Sequence, residues 1–228
     1  MLILLDTANI DSIKHINDIY PLDGVTTNPT IISKEKKDFI GILKEIRNTI
    51  GKEKMLHVQV VGSKAEDMIE EAIYLNEKIG GNLYIKIPVT EQGIKAMKEL
   101  SKKGYKITAT AIFTAQQALM AAKAGAEFVA PYVNRIDNLM VDGIKVVSDI
   151  VNIFKIYNIN TKVLAASFKN TEQIHNSCLK GAHSVTVNES LIKQLIYHPS
   201  TDLSVESFIN DWEEQYGKDV KLMKYNVK

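Results

Sequence analysis

Eight short runs of β-branched and apolar residues recur along the chain, and segments with apolar residues at helical spacing lie between them. Short runs of this kind predict buried strands, whereas apolar residues three or four positions apart predict one face of a helix. Eight strand–helix units with short connections predict an α/β fold of the (β/α)₈ TIM barrel type. The predicted strands span residues 2–6, 24–28, 56–60, 83–87, 106–110, 127–131, 162–167 and 184–187.

The pattern does not break at any linker rich in proline, glycine or serine, so residues 1–228 are predicted to form a single barrel domain. After the eighth unit, residues 201–217 are predicted to form an additional C-terminal helix. This helix has an apolar stripe, which can pack on its own barrel or on a neighbouring subunit. The stripe consists of Val205, Phe208, Trp212 and Tyr216.

Side chains alternate between the two faces of a strand, which separates residues that face the helices from residues that face the barrel interior. The helix-facing set is almost entirely apolar and includes Leu164 and Ala166 of the seventh strand. Because the carboxyl ends of barrel strands converge at one mouth, the polar members of the inward set predict a shared active site. They stand at or just beyond the ends of strands one to seven: Asp6, Asn28, Gln59, Lys86, Thr110, Tyr132 and Ser167.

A lysine inside the apolar run 83-LYIKIP-88 is the most unusual member of this set. Burial lowers the pKa of an amine, although a nearby carboxylate such as Asp6 raises it. A neutral Lys86 amine can attack a ketone and form an iminium, which then accepts the electrons of a breaking carbon–carbon bond. The required proton shuttle can come from Gln59, Thr110 or Tyr132. The alternative is a buried Lys86–Asp6 ion pair without chemistry.

The histidines do not favour a catalytic metal. The five histidines lack the close spacing of zinc ligands, and only His57 falls on an inward strand position. We therefore predict that His57 is a hydrogen-bonded interior residue and that the enzyme uses no metal.

Phosphate binding is predicted near the ends of strands six and seven, where barrels commonly hold phosphate. Ser167 and Lys169 precede a helix whose first amides can bind an anion. Arg135 follows strand six, and its planar guanidinium suits a phosphate. Arg135 is interpreted as a ligand rather than a surface charge, whereas both interpretations of Lys169 stay open.

Charge and composition favour a small-molecule partner. The 28 basic and 27 acidic residues leave a net charge of +1 without any basic block, so neither nucleic acid nor an anionic membrane is expected. No apolar run approaches the roughly 20 residues of a membrane span, and the first residues do not form a signal peptide. A cytoplasmic location is the resulting expectation.

These residues lie in segments that resemble the small-subunit transaldolase and fructose-6-phosphate aldolase family over nearly the whole chain, in family order. The resemblance implies a class I enzyme without a cofactor, which handles a dihydroxyacetone unit and uses Lys86 as the Schiff-base residue. It also implies a homo-oligomer of pentameric rings, often paired as decamers, with the C-terminal helix on a neighbour. The matching segments are 5-LDTANI-10, 24-GVTTNPTII-32, 84-YIKIPVTEQG-93, 119-LMAAKAGAEFVAPYVNRIDN-138, 163-VLAASFKN-170 and 197-YHPSTDL-203.

The resemblance also suggests roles for individual residues. Asp6 and Asn28 are expected to position the hydroxyls of dihydroxyacetone and the amine, with Thr26 as a further substrate-binding residue. Arg135 and Ser167 are expected to hold the sugar phosphate, and sugar phosphates are the expected partners.

Two subgroups of the family differ at the residues that handle protons. The transaldolases carry glutamate at the end of strand three and phenylalanine after strand six, whereas the fructose-6-phosphate aldolases carry glutamine and tyrosine. Gln59 and Tyr132 place this chain closer to the aldolases. The first hypothesis is therefore reversible cleavage of fructose 6-phosphate. Transaldolase activity in the pentose phosphate pathway is the alternative, and a non-catalytic sugar-phosphate-binding barrel is a third.

Overall fold

The computed structural model of the protein describes residues 1–224, and eight parallel strands in it close into a barrel. Each strand pairs with the next, and β8 pairs with β1. The predicted (β/α)₈ TIM barrel is therefore confirmed. The strands are β1 (Leu2–Asp6), β2 (Gly24–Thr26), β3 (Met55–Gln59), β4 (Leu83–Pro88), β5 (Ile107–Ile112), β6 (Phe128–Pro131), β7 (Lys162–Ala165) and β8 (Ser184–Val187).

The helices that surround the barrel follow the strands in the predicted alternation. Most of them begin at a side chain that accepts a hydrogen bond from a backbone N–H of the first turn, as Asn9, Thr90 and Asp142 do. The helices are α1 (Ile10–Ile19), α2 (Pro29–Lys34), α3 (Phe39–Ile50), α4 (Ala65–Ile79), α5 (Glu91–Lys102), α6 (Ala115–Lys123), α7 (Val133–Asp137), α8 (Gly143–Ile156), α9 (Thr171–Leu179) and α10 (Glu189–Gln194).

The main core lies between the outer face of the strands and the apolar stripes of the helices. Val58, Ile85 and Val129 of the strands belong to the same buried cluster as Ile13 and Leu43 of the helices. Because these strands are apolar on their outer face, any polar side chain on them must point into the barrel or extend beyond its end.

A second, smaller cluster fills the lower part of the barrel interior. Its buried members are Leu4, Met55, Tyr84, Phe128 and Leu164. His57 stacks on Tyr84 with ring centroids 4.6 Å apart, and the edge of Phe128 meets it at 5.5 Å. The interior is therefore closed below by aromatic and apolar side chains, so that polar chemistry is confined to the carboxyl mouth.

Several strands end one or two residues away from their predicted ends. β7 ends at Ala165, and Ser167 lies beyond it in the left-handed region at φ 62°. The strand alternation therefore does not extend to Ser167, and the prediction that Leu164 faces the helices is wrong, because Leu164 belongs to the interior cluster. In β5 the pairing with β6 shifts register between Ala109 and Ile112.

Residues from Lys193 onward form a second compact unit, separate from Met1–Ile192. Helix α11 (Pro199–Tyr216) covers the predicted C-terminal helix and contains no buried residue. The indole Nε1 of Trp212 in α11 donates to the carbonyl oxygen of Val220 at 2.8 Å. Beyond the helix, a short 3₁₀ helix spans Leu222–Lys224. Residues 225–228 of the predicted single domain lie outside the described residues. Across residues 1–224, no helix has both the length and the apolar character that a membrane span requires.

Candidate active site

A cavity of about 100 Å³ opens at the carboxyl mouth of the barrel. It brings together eight of the ten side chains that the sequence predicted for the site. These are Asp6, Thr26, Asn28, Lys86, Thr110, Tyr132, Arg135 and Ser167. The remaining two, Gln59 and Lys169, lie outside its lining. The cavity is therefore the place where the predicted polar residues meet.

Lys86 enters this cavity from β4, and only 6% of its surface is exposed. Its Nζ donates to the carbonyl oxygen of Thr27 at 2.6 Å. Burial lowers the pKa of Lys86 below its ordinary value, and the negative charge of Asp6 partly opposes this effect. Among residues 1–224, Lys86 and Asp6 do not form a direct ion pair, so the geometry does not show the alternative of a closed, inert pair.

Asp6 ends β1 and takes part in a chain of hydroxyl groups across the barrel interior. The Thr26 hydroxyl donates to Oδ1 of Asp6 at 2.7 Å. The same Thr26 oxygen lies 2.6 Å from Oγ1 of Thr186, which also lines the cavity. Sequence reasoning missed Thr186, although Ser184 and Thr186 alternate with Val185 and Val187 along β8. That alternation was the signal of an inward polar residue on the eighth strand.

Tyr132 and Thr110 form the second hydrogen-bonded group of the cavity. The phenol oxygen of Tyr132 lies 2.8 Å from Oγ1 of Thr110, and either oxygen can be the donor. Phe113 meets the Tyr132 ring edge-on at a centroid distance of 5.9 Å, while the guanidinium carbon of Arg135 lies 4.9 Å from its centroid. The ring is thus packed from two directions, which orients its hydroxyl towards Thr110.

Asn28 stands at the mouth because it begins α2. Its Oδ1 accepts from the backbone N–H of Ile31 at 3.0 Å, which satisfies the first turn of the helix. The side-chain oxygen of Asn28 thus accepts one hydrogen bond from the helix, and its Nδ2 group can donate to a bound hydroxyl.

Arg135 and Ser167 lie on the side of the cavity formed by β6 and β7. Arg135 is exposed on α7, and the left-handed backbone of Ser167 turns its side chain back to the mouth. Lys169 is exposed, and its backbone N–H donates to Gln173 Oε1 at 2.7 Å. In the described structure, two of the three predicted phosphate ligands therefore share the cavity.

Small apolar residues line the same side. Leu164 of β7 and Ala166, just beyond its end, contribute to the lining together with Ala130 of β6. The assignment of Ala166 to the helix-facing set is therefore wrong, for the same reason as that of Leu164. The left-handed residue that follows Ala166 breaks the simple alternation on which the prediction was based.

Gln59 is the neighbour of Lys86 across the β3–β4 pairing, and it is half-buried. His57, two residues earlier, is fully buried, and its Nδ1 lies 2.8 Å from Oγ1 of Thr108. The structure confirms His57 as a hydrogen-bonded interior residue. Burial, and then the charge of Lys86, lowers the pKa of His57 well below 6.5, so its imidazole is neutral at pH 7.

Metal-binding groups do not assemble at this mouth. Over the part of the chain that the structure describes, no three or more histidine, cysteine, aspartate or glutamate side chains meet in a cluster that could hold a metal ion. The functional groups that the cavity offers for chemistry are a desolvated amine, a carboxylate, a hydroxyl–phenol pair and a guanidinium.

Comparison with known proteins shows the family to which the chain belongs. Residues 3–226 match the family model described as Transaldolase/Fructose-6-phosphate aldolase. A probable transaldolase of Clostridium acetobutylicum is 43% identical over 218 residues, which cover 96% of this chain and 100% of the relative. A probable fructose-6-phosphate aldolase of Streptococcus pneumoniae is 41% identical over 210 residues, which cover 92% of this chain and 95% of the relative.

Among solved structures, a dihydrodipicolinate synthase of Rhodopseudomonas palustris superposes with a TM-score of 0.60 and 12% identity. The match covers 92% of this chain and 79% of that one. At this identity the likeness concerns the barrel fold alone.

Proposed function

Because the chain belongs to the transaldolase/fructose-6-phosphate aldolase family, we propose that it cleaves fructose 6-phosphate reversibly through a Schiff base on Lys86. The products are dihydroxyacetone and glyceraldehyde 3-phosphate. The observation that carries the proposal is a primary amine, only 6% exposed, in a cavity that it shares with hydroxyl, carboxylate, amide and guanidinium groups. Membership of an enzyme family favours turnover over a non-catalytic binding barrel.

In the first half of the reaction, the neutral Lys86 amine attacks C2 of the ketose and gives a carbinolamine. Loss of its hydroxyl as water leaves an iminium. Removal of the proton from the C4 hydroxyl then breaks the C3–C4 bond, and the bonding electrons move into the iminium. Glyceraldehyde 3-phosphate departs, and a three-carbon enamine stays on Lys86. The lowered pKa of Lys86 increases the fraction of amine that can begin this sequence.

In the second half, a proton is added to C3 of the enamine, and water hydrolyses the resulting iminium to free dihydroxyacetone. Tyr132 is the group proposed to carry protons, with Thr110 as its hydrogen-bond partner at 2.8 Å. Gln59 is proposed to assist from the neighbouring strand through a water, since an amide cannot itself act as an acid or base at neutral pH.

The other cavity residues are proposed to bind the substrate. Asp6, Thr26 and Asn28 line the same cavity as the amine and can accept from or donate to the hydroxyls of the dihydroxyacetone unit. Arg135 and Ser167 are proposed to bind the phosphate, with Lys169 as an outer charge that attracts it.

Transaldolase activity is the second candidate, and the naming of relatives such as that of C. acetobutylicum favours it. Both activities share every step up to the enamine. A transaldolase holds the enamine until an acceptor aldehyde such as erythrose 4-phosphate arrives, whereas an aldolase protonates it. A difference of about 1.4 kcal/mol between the two barriers changes the ratio tenfold. The phenol of Tyr132 supports the aldolase outcome because it offers a proton at the enamine.

The covalent step is tested by borohydride reduction in the presence of dihydroxyacetone, followed by intact mass measurement. The expected result is a three-carbon adduct on the parent protein and none on Lys86→Met. Lys106→Met provides the matched control, because Lys106 is exposed and lies at the amino end of β5. An adduct that persists in Lys86→Met would contradict the proposal.

The choice between the two activities is tested by the dependence on an acceptor. Fructose 6-phosphate is supplied with and without erythrose 4-phosphate, and release of glyceraldehyde 3-phosphate is followed over many turnovers. An aldolase continues without the acceptor. Turnover that stops after one equivalent, and resumes on addition of erythrose 4-phosphate, would identify a transaldolase instead.

We also propose that the protein is a homo-oligomer, a pentamer or a decamer, in which α11 packs on a neighbouring subunit. Helix α11 contains no buried residue, and Leu203, Phe208 and Ile209 are each more than half exposed. An exposed apolar surface of this kind is typical of an association site. Light scattering tests this proposal, and a monomer at micromolar concentration would contradict it.

A further inference from the structure

We propose that Thr186 is a positioning residue of the reaction, which acts on Asp6 through Thr26. This inference rests on the proposed function, because Asp6 matters to catalysis only if Lys86 does. Thr186 lies on β8, Thr26 lies on β2 and Asp6 lies on β1 between them. The three side chains therefore bridge the strands at which the barrel closes.

The hydrogen bonds of this bridge have a defined direction. An ionised Asp6 can only accept, so the hydroxyl proton of Thr26 points to Oδ1 of Asp6, 2.7 Å away. The Thr26 oxygen then has lone pairs but no proton for Thr186, and the 2.6 Å contact between the two oxygens needs a donor. Thr186 must supply it. The order of donation is therefore Thr186 to Thr26 to Asp6.

Burial makes the hydrogen bonds of this bridge stronger than the same bonds would be in water. Thr26 is 1% exposed and Thr186 is 5% exposed, so water offers little competition for either hydroxyl. In such surroundings one hydrogen bond polarises the next, and the loss of a donor leaves the neighbouring oxygen less well satisfied. Removing the Thr186 hydroxyl therefore weakens the hold of Thr26 on Asp6.

The consequence for the active site concerns the orientation of the Asp6 carboxylate. Its side chain accepts from Thr26 alone among the described residues, and only Oδ1 is used. With Oδ1 held, Oδ2 is the oxygen presented to the amine and to the hydroxyls of the substrate. Thr186 pairs in register with Leu4, two residues before Asp6, so it supports the carboxylate from below.

Three variants of β8 separate a positioning role from a merely structural one. Thr186→Val removes the hydroxyl at nearly constant volume. Thr186→Ser keeps the donor. Ser184→Ala is the matched control, because Ser184 is also buried on β8 but donates to the Val163 carbonyl oxygen at 3.0 Å and lies outside the cavity lining.

The measurements are kcat, KM for fructose 6-phosphate and the rate of borohydride trapping with dihydroxyacetone. Thr186→Val is expected to lower kcat and the trapping rate by roughly 2- to 13-fold, the range of one neutral hydrogen bond. Thr186→Ser is expected to restore most of this loss. Ser184→Ala is expected to keep the parent rates. In an Asp6→Asn background, Thr186→Val is expected to cause no further loss, because the carboxylate that it orients is gone.

Equal losses from Thr186→Val with and without the Asp6 carboxylate would overturn the proposal, as would parent-like rates in Thr186→Val. If Thr186→Val does not fold, Thr186→Ala replaces it with the same expected outcomes. The same measurements distinguish failure of the proposed function from failure of the role of Thr186. A parent protein that traps no dihydroxyacetone forms no Schiff base, and this result would refute both proposals. A parent that traps normally, beside an equally active Thr186→Val, refutes the role of Thr186 alone.

Discussion

The hydrogen bond between Tyr132 and Thr110 offers the sharpest test of how protons move in the cavity. Tyr132→Phe removes only the phenol oxygen, because the ring keeps its contacts with Phe113 and Arg135. If Tyr132 transfers the proton, kcat for cleavage of fructose 6-phosphate should fall by about 10²- to 10⁴-fold, the usual contribution of a positioned acid or base. Trapping of dihydroxyacetone should persist, because Lys86 is unchanged.

Thr110→Val tests the orientation of the phenol at nearly constant volume. Thr110 is fully buried and its oxygen lies 2.8 Å from the phenol, so this variant loses one neutral hydrogen bond. Such a bond is worth about 0.5–1.5 kcal/mol, which corresponds to roughly a 2- to 13-fold loss of kcat. In the Tyr132→Phe background there is no phenol to orient, and Thr110→Val should have almost no further effect on kcat.

The assay is release of glyceraldehyde 3-phosphate at saturating fructose 6-phosphate for the parent, both single variants and the double variant. The coupling energy from this cycle should equal the whole effect of Thr110→Val. Additive losses would show that Thr110 acts independently of Tyr132. A loss of less than about threefold in Tyr132→Phe would refute proton transfer by the phenol, since general acid–base catalysis is worth far more.

Three further predictions concern stability. Lys86→Met should raise the free energy of unfolding at pH 7, because a desolvated amine is replaced by an apolar chain of similar length, and a decrease measured by urea denaturation would contradict this. Because the pKa of His57 is lowered in the folded protein, the unfolded chain binds more protons below pH 6.5. The free energy of unfolding should therefore fall as the pH drops from about 6.5 towards the folded pKa, by at most about 1.4 kcal/mol per pH unit. His57→Gln should flatten this dependence, and an unchanged slope would count against the prediction. Gly93→Ala places a methyl group against the carbonyl oxygen of Pro88 and should lower the free energy of unfolding by about 1–3 kcal/mol. Gly41→Ala, at the same position of another helix, meets only a flexible carboxylate and should lower it less. Equal melting temperatures for the two variants would refute the steric argument.

Residues on regular strands could be placed from the sequence alone. Asp6, Lys86 and Thr110 lie on β1, β4 and β5, where strict alternation determines which face a side chain occupies. The prediction of a common polar cavity is confirmed for them. The apolar neighbours of Lys86 in 83-LYIKIP-88 were sufficient to indicate a buried amine, because an outer face packed against helices cannot accommodate a charge.

The side chains around the end of β7 could not be placed by the same rule. The left-handed backbone of Ser167 brings its side chain into the cavity, and Ala166 and Leu164 face inward with it. Lys169, four residues past the end of β7, is exposed. A single residue with positive φ reverses the expected direction of a side chain, and sequence alternation contains no sign of it.

Local physics therefore determined the elements, the barrel and the residue types available at its mouth, because strand and helix periods depend on neighbours a few positions apart. The tertiary structure decided which groups touch. The Thr186–Thr26–Asp6 bridge joins residues up to 180 positions apart at distances of 2.6 and 2.7 Å. Its existence depends on barrel closure between β8 and β1, which aligns hydroxyls from strands at opposite ends of the sequence. Hydrogen bonds are sensitive to tenths of an ångström, and only the closed fold sets distances on that scale.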